Sequence, residues 1–215
     1  MKVTKFGHCC LLIEEKELRI LTDPGSYSTL QNTVKNIDIV LITHEHPDHF
    51  HLQSLKNVIA NADSKGLVII TNKAVGKLLD EEGIKYHLVE HNQKIEIKGI
   101  LIEGYGEKHA EIYKTLTPVI NTGYFIDNKF FYPGDAFINP NKHISILALP
   151  VAGPWMKLSE AIDYALALKP KIAFPVHDGM FLPGRGSVAH RIPASILPPH
   201  GIKFIVLEEN KETEL

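Results

Sequence analysis

Four side chains able to bind metal ions, His44, His46, Asp48 and His49, stand within six residues, directly after the apolar run Ile39–Ile42. The run is too short for a helical period and reads as a strand buried on both faces. In extended backbone His44 and His46 point the same way and can share one ion. Pro47 then turns the chain and can take the first position of a helix. Asp48 and His49 follow and face a second point nearby. One short loop thus offers half the ligands of two adjacent metal sites. Imidazole and carboxylate without thiolate suit zinc, with manganese or iron as alternatives. A solvated histidine-rich loop does not explain four such groups at the end of a buried strand.

Further residues of this kind recur at strand ends. Gly104-Tyr-Gly-Glu-Lys-His109 closes a strand in a glycine-bearing loop, with His91 as the competing imidazole. Pro133-Gly-Asp135 follows a hairpin, and the glycine lets the backbone approach an ion. Pro175-Val-His177-Asp-Gly179 ends another strand. His8 stands after Gly7 at a strand junction, and Asp23 before the turn dipeptide Pro24-Gly25. A loop histidine and a turn cap are the plain alternatives for His8 and Asp23.

His44-x-His46-x-Asp48-His49 resembles the signature of the metallo-β-lactamase fold superfamily, and the likeness runs over nearly the whole chain. Gly7-His8, an apolar strand and Leu-Thr-Asp23-Pro resemble the opening of its ascorbate-6-phosphate lactonase-like subgroup. The resemblance implies two zinc ions, one on His44, His46, His109 and Asp135, the other on Asp48, His49, His177 and the bridging Asp135. It puts His8 and Asp23 at the rim of the site or behind its ligands, where Asp23 can accept a hydrogen bond from a ligand imidazole and set its tautomer. It implies a stand-alone hydrolase in which a hydroxide bridging two ions about 3.5–4 Å apart attacks a carbonyl or phosphorus. Asp48 then orients that hydroxide or accepts its proton. His46 in place of glutamate, and no flavin domain, separate the chain from flavodiiron oxidoreductases. The short stretch between Asp135 and His177 leaves no room for the inserted domain of processing nucleases. Iron-dependent oxygenase-like members share the ligands, and a degenerate binding subunit is the non-enzyme alternative.

With the ligands set aside, His8, Tyr113, Trp155, Arg185, His190 and Arg191 are candidates for the pocket wall. His190 and Arg191 follow a glycine-rich loop soon after the last ligand. Both can hold an anionic oxygen, and His190 can protonate a leaving group. They point to a small anionic ester, lactone or phosphodiester. Asp178, His87 and His91 are read as structural.

These residues need a scaffold of alternating strands and helices. Residues 3–6, 10–13 and 18–21 form a meander. Strands follow at 39–42, 67–70, 86–90, 94–97, 100–105, 119–126, 129–132, 145–149, 171–174 and 202–207. Helices are expected at 52–60, 72–82 and 158–168. Asp127-Asn128 is a tight-turn pair. Residues 26–36 and 110–118 form loops over the site, and residues 208–215 a frayed end. The elements recur in two batches, before and after about residue 115. That agrees with the fold class the resemblance implies: α/β, an αββα four-layer sandwich of two mixed sheets flanked by helices, expected as one domain over 1–215.

Composition agrees. The chain has 215 residues, 44% hydrophobic and 22% charged, an ordinary globular balance. Its net charge of −2 carries no strong field for nucleic acid. Twelve histidines are the one anomaly. Cys9 and Cys10 are adjacent and point to opposite faces of a strand, so they read as buried thiols in a reducing cytoplasm. No apolar run approaches the roughly 18 residues of a membrane span. The partner is a small-molecule substrate, and homo-oligomer formation is left open.

Overall fold

The structure, a computed structural model, describes residues 1–62, 66–117, 119–181 and 187–215. The opening meander is β1 (Lys2–Gly7), β2 (Cys10–Glu15) and β3 (Leu18–Thr22). Then come β4 (Ile39–Ile42), α1 (Leu52–Asn61), β5 (Val68–Thr71), α2 (Lys73–Glu81) and β6 (His87–Leu88). A second series is β7 (Lys94–Ile97), β8 (Ile100–Tyr105), β9 (Gly123–Ile126), β10 (Phe130–Tyr132) and β11 (Ile146–Pro150). It continues through α3 (Leu158–Leu168), β12 (Ile172–Val176), α4 (Ser187–Ile196), β13 (Lys203–Phe204) and β14 (Glu212–Glu214).

Two mixed sheets result, ordered β14-β1-β2-β3-β4-β5-β6 and β13-β12-β11-β10-β9-β8-β7. In each, an antiparallel meander gives way to parallel strands, at β3–β4 in one and at β10–β11 in the other. The largest apolar cluster joins residues of both sheets, among them Ile39, Leu41, Tyr124, Phe130 and Phe174. The second cluster packs Val40 and Ile42 with Leu55 and Val58 of α1 and Val75 and Leu79 of α2. The third packs Leu147 and Leu149 with Ala161, Ile162 and Ala165 of α3. The layers are therefore helix, sheet, sheet, helix, with α4 on the α3 side through Ala189.

The period-2 alternation of β4 explains why the run before the histidines is wholly apolar. Ile39 and Leu41 face the other sheet while Val40 and Ile42 face helices, and all four are buried. Each such side chain contributes about 1.5–3 kcal/mol by leaving water, so β4 is a rigid base for the histidine-bearing turn at its end. Cys9 and Cys10 divide in the same way, Cys9 toward the opposite sheet and Cys10 toward the helices, and both are free. Asp127 and Asn128 both take positive φ, as the β9–β10 hairpin requires. No helix among the described residues is long and apolar enough to cross a membrane.

The structure corrects several expectations. Pro47 does not begin a helix: residues 47–49 form a turn, with His49 N and Phe50 N both donating to His46 O, and α1 starts at Leu52. The two halves divide between β6 and β7 rather than near residue 115, because β6 pairs in parallel with β5 while β7 opens the second sheet on β8. The polar end is not frayed. β14 pairs with β1 across Lys2↔Glu214, Val3↔Thr213 and Thr4↔Glu212. Its charged residues suit an edge strand, whose stability comes from the partner backbone and not from its own side chains. His190 and Arg191 lie on α4, a helix not among those expected. Arg185 and Pro118 lie outside the described residues.

Candidate metal centre

β3 and β4 are parallel, as are β10, β11 and β12, and β8 runs the same way as β10 because both are antiparallel to β9. Asp23, His44, His109, Asp135 and His177 all follow the C-terminal ends of these strands. One edge of the sandwich therefore collects them, the usual place for a site on parallel strands.

Two glycines allow the close approach. Gly134 has a φ of +64°, and a Cβ there would strike the Asn121 side chain and Thr43. Asn121 Oδ1 accepts the Asp135 backbone N–H at 3.0 Å. A Cβ on Gly25 would meet the backbone of Asp48 and His49, so the loop after β3 presses directly on the ligand turn.

Ligand atoms of His44, His46 and His109 all lie within 4.8 Å of one another, as do those of His44, His49 and Asp135. Asp135 stands between the groups. Its Oδ1 is 3.1 Å from His49 Nε2, and its Oδ2 is 3.3 Å from His109 Nε2 and 2.9 Å from His177 Nε2. Asp48 Oδ2 lies 3.4 Å from His177 Nε2 and 3.8 Å from His49 Nε2.

The outer nitrogens of three imidazoles are tied to the scaffold. His49 Nδ1 is 2.6 Å from Asp23 Oδ2. His44 Nδ1 is 3.0 Å from Thr43 Oγ1, which itself donates to Asp23 Oδ2. His109 Nδ1 is 2.6 Å from the Ala110 carbonyl. An Nδ1–H donor on each leaves the Nε2 lone pair facing inward. His8 is set the other way. Its Nδ1 accepts the Gly179 N–H at 3.1 Å, so Nε2 donates to Asp48 Oδ2 at 3.1 Å.

Charge is strongly coupled here. Burial, then the His49 charge, holds His44 well below the ordinary imidazole range. Burial also lowers His46 and His8. For His49 burial is outweighed by Asp135, Cys9 and Asp23, and the pKa lies well above its usual value. For His177 burial is outweighed by Cys9, Asp135 and Asp48, and the pKa rises to about 10. Burial would raise both carboxyls, yet His49, His109 and His177 hold Asp135 well below the carboxylate range, and His177 and His8 hold Asp48 below it. Two anions thus gather the nearest positive charge available.

Buried polar atoms normally find partners. Here His49 Nε2, His109 Nε2, His177 Nε2 and Asp135 Oδ1 have no hydrogen-bond partner, although each is buried. The positive charge that the two buried carboxylates draw onto His49 and His177 is charge that bound cations would supply instead, with those imidazoles then neutral and their Nε2 atoms free to coordinate. Beside them opens a cavity of about 210 Å³, lined by Tyr27, His46, Asp48, Ile112, Trp155 and Met180 among others.

Residues 2–177 match the beta-lactamase superfamily domain. The chain belongs to that superfamily. A Mycobacterium tuberculosis protein is 31% identical over 85% of this chain and 86% of its own length. A Carboxydothermus hydrogenoformans protein named a metal-dependent hydrolase is 26% identical over 82% of this chain and 84% of its own. Among solved structures, a Parabacteroides distasonis protein provisionally named a metal-dependent hydrolase superposes with a TM-score of 0.76 at 26% identity, covering 97% of this chain and 93% of its own. A metallo hydrolase of Ignicoccus hospitalis shares the fold, with a TM-score of 0.77 at 22% identity, covering 100% and 98%.

Within this superfamily fold, His109 rather than His91 stands beside His44 and His46. His91 is exposed and accepts the Gly106 N–H. Tyr113 is exposed and does not line the cavity. His190, expected as a general acid at the pocket wall, is turned elsewhere. Its Nε2 is 2.8 Å from Asp178 Oδ2, and the other Asp178 oxygen pairs with the buried Lys5 ammonium. Lys5 also donates to the Pro175 carbonyl at 3.0 Å. This network clamps the end of β12 to β1, and neither His190 nor Arg191 is among the cavity residues.

Tyr132, Thr43 and Cys9 escaped the sequence, as did one contact of Trp155. Tyr132 Oη donates to Asp23 Oδ2 at 2.6 Å, and Thr43 links Asp23 to His44. Trp155, expected at the mouth, also donates its indole N–H to Asp135 Oδ2 at 2.8 Å. The Cys9 sulfur falls within 4.8 Å of nitrogens of His8, His49 and His177. Its position next to His8 is the only local signal of that placement.

Proposed function

We propose that this metal-dependent hydrolase of the metallo-β-lactamase superfamily holds two zinc ions and cleaves a small ester, lactone or phosphodiester with water. One ion would sit among His44, His46, His109 and Asp135, the other among Asp48, His49, His177 and Asp135. The observation that carries this reading is Asp135, whose Oδ2 lies between His109 of one set and His177 of the other, with Oδ1 against His49. A buried carboxylate so placed can serve two ions at once. Bound divalent ions supply Lewis acidity, bringing the pKa of water toward neutrality and polarising the substrate oxygen.

The chain's own residues do the rest. Asp48 lines the cavity with its carboxyl ionised, and His8 holds its Oδ2. Its place in the lining lets Asp48 orient the attacking water or accept its proton. Trp155 steadies Asp135 through the indole N–H. The cavity wall presents no serine, threonine or cysteine among the described residues, which favours water over a side-chain nucleophile. An anionic substrate was expected from His190 and Arg191, and their places on α4 remove that support. Two free buried thiols favour the cytoplasm.

The test is elemental analysis of the purified protein together with hydrolysis of p-nitrophenyl acetate. Two ions per chain and a rate lost on chelation are expected. A folded protein that refuses metal and ignores chelators would overturn the proposal.

A further inference from the structure

The cavity beside the metal centre divides into two chemistries. Its floor is His46, Asp48, His109, Asp135 and His177. Its wall is Tyr27, Pro47, Ile112, Pro154, Trp155 and Met180. No lysine or arginine is among the described lining residues. The carboxylates of that lining, Asp48 and Asp135, already face the imidazoles.

Three wall residues are exposed although apolar: Tyr27 at 51%, Ile112 at 38% and Met180 at 46%. They come from three separate segments, after β3, after β8 and after β12. Local chain structure does not explain why all three present apolar surface to one opening. Exposed apolar groups that converge on a concave polar floor mark a ligand site. Leu116, 55% exposed, lies beside Ile112 in the adjoining cleft that also reaches His46 and His109.

We infer that the non-reacting part of the substrate is an uncharged apolar group, a short acyl chain or a single ring, held against Tyr27, Ile112, Trp155 and Met180. The inference rests on the metal centre proposed above and adds the substrate class. Against the described lining residues a charged tail would lose water without gaining a partner. A volume of about 210 Å³ is below the roughly 300–1,000 Å³ of pockets that take drug-sized ligands, so the group is small.

Trp155 is the sole tryptophan, so its fluorescence reports occupancy without any turnover. The experiment titrates zinc-loaded protein with acetohydroxamate, hexanohydroxamate and adipic monohydroxamate, which share one metal-binding head. Hexanohydroxamate should bind about tenfold or more tighter than acetohydroxamate, given roughly fourfold per buried methylene. The terminal carboxylate of adipic monohydroxamate should erase that gain. Ile112→Lys and Met180→Lys, both at exposed positions, should reverse the ranking of the two longer probes with metal content unchanged. Equal affinity for the short and long neutral probes, or a preference of the unsubstituted protein for the carboxylate tail, would overturn the inference. If the expected ranking holds while no ester is hydrolysed, the pocket assignment stands and the hydrolytic reading falls.

Discussion

Asp23 Oδ2 lies 2.6 Å from His49 Nδ1 and 2.6 Å from the Tyr132 hydroxyl. The carboxylate is wholly buried, and its other oxygen accepts the Thr43 N–H at 2.8 Å. One anion at the end of β3 therefore orients His49 directly and His44 through Thr43. Both sheets contribute, since Tyr132 belongs to β10 and Asp23 follows β3.

Asp23→Ala should weaken metal binding about 10–100-fold, the usual effect of losing the group that orients a ligand imidazole. It should also cost about 1–3 kcal/mol, because the buried Thr43 N–H loses its acceptor, while the Tyr132 hydroxyl keeps the Cys9 carbonyl at 3.1 Å. Competition with a chromophoric chelator and urea unfolding measure the two effects. Unchanged metal affinity would show that His49 needs no orientation.

Asp135→Ala and His177→Ala should differ in kind. Loss of Asp135 removes an oxygen from both halves of the centre, so both ions should be lost or held weakly. Loss of His177 should empty chiefly the half that contains Asp48 and His49. Elemental analysis after dialysis decides, and equal depletion in the two variants would argue against a shared carboxylate.

His190→Ala should leave metal content unchanged and turnover within about threefold, because its imidazole serves Asp178 and not the cavity. Asp178→Ala should cost about 3–5 kcal/mol, since it strands the buried Lys5 ammonium without its anion. Thermal unfolding and steady-state rates separate the two. A turnover loss near 10²-fold in His190→Ala would return the residue to the mechanism as a general acid.

Cys9 and Cys10 should resist iodoacetamide in the native protein. Both sulfurs are buried away from the reagent, and burial also pushes the Cys10 thiol far above its ordinary value, so Cys10 carries little thiolate to react. Labelling should proceed through unfolding and slow further with metal bound, because a ligand of the native state lowers the unfolded fraction. Mass spectrometry of both thiols with time is the measurement, and rapid native labelling would contradict the burial.

The sequence by itself made the candidate metal-binding groups and most of the elements legible. The types of those groups, the strand ends and the alternation of β4 are local properties, written in residues 39–49, 133–135 and 175–177. The four-layer arrangement came from the superfamily resemblance and the recurrence of strands and helices in two batches, and the apolar runs buried on both faces are the physical counterpart of it. The tertiary structure alone decided which distant groups complete the site. Hydrogen bonds such as Tyr132 to Asp23, Trp155 to Asp135 and Gly179 to His8 join residues far apart in the chain, and no periodicity records them. The same holds for β14 beside β1, where backbone pairing and not side-chain pattern makes the strand. His190 shows the limit most plainly: its proximity in sequence to His177 suggested the cavity, while the buried Lys5–Asp178 pair, formed across the fold, claims its imidazole instead.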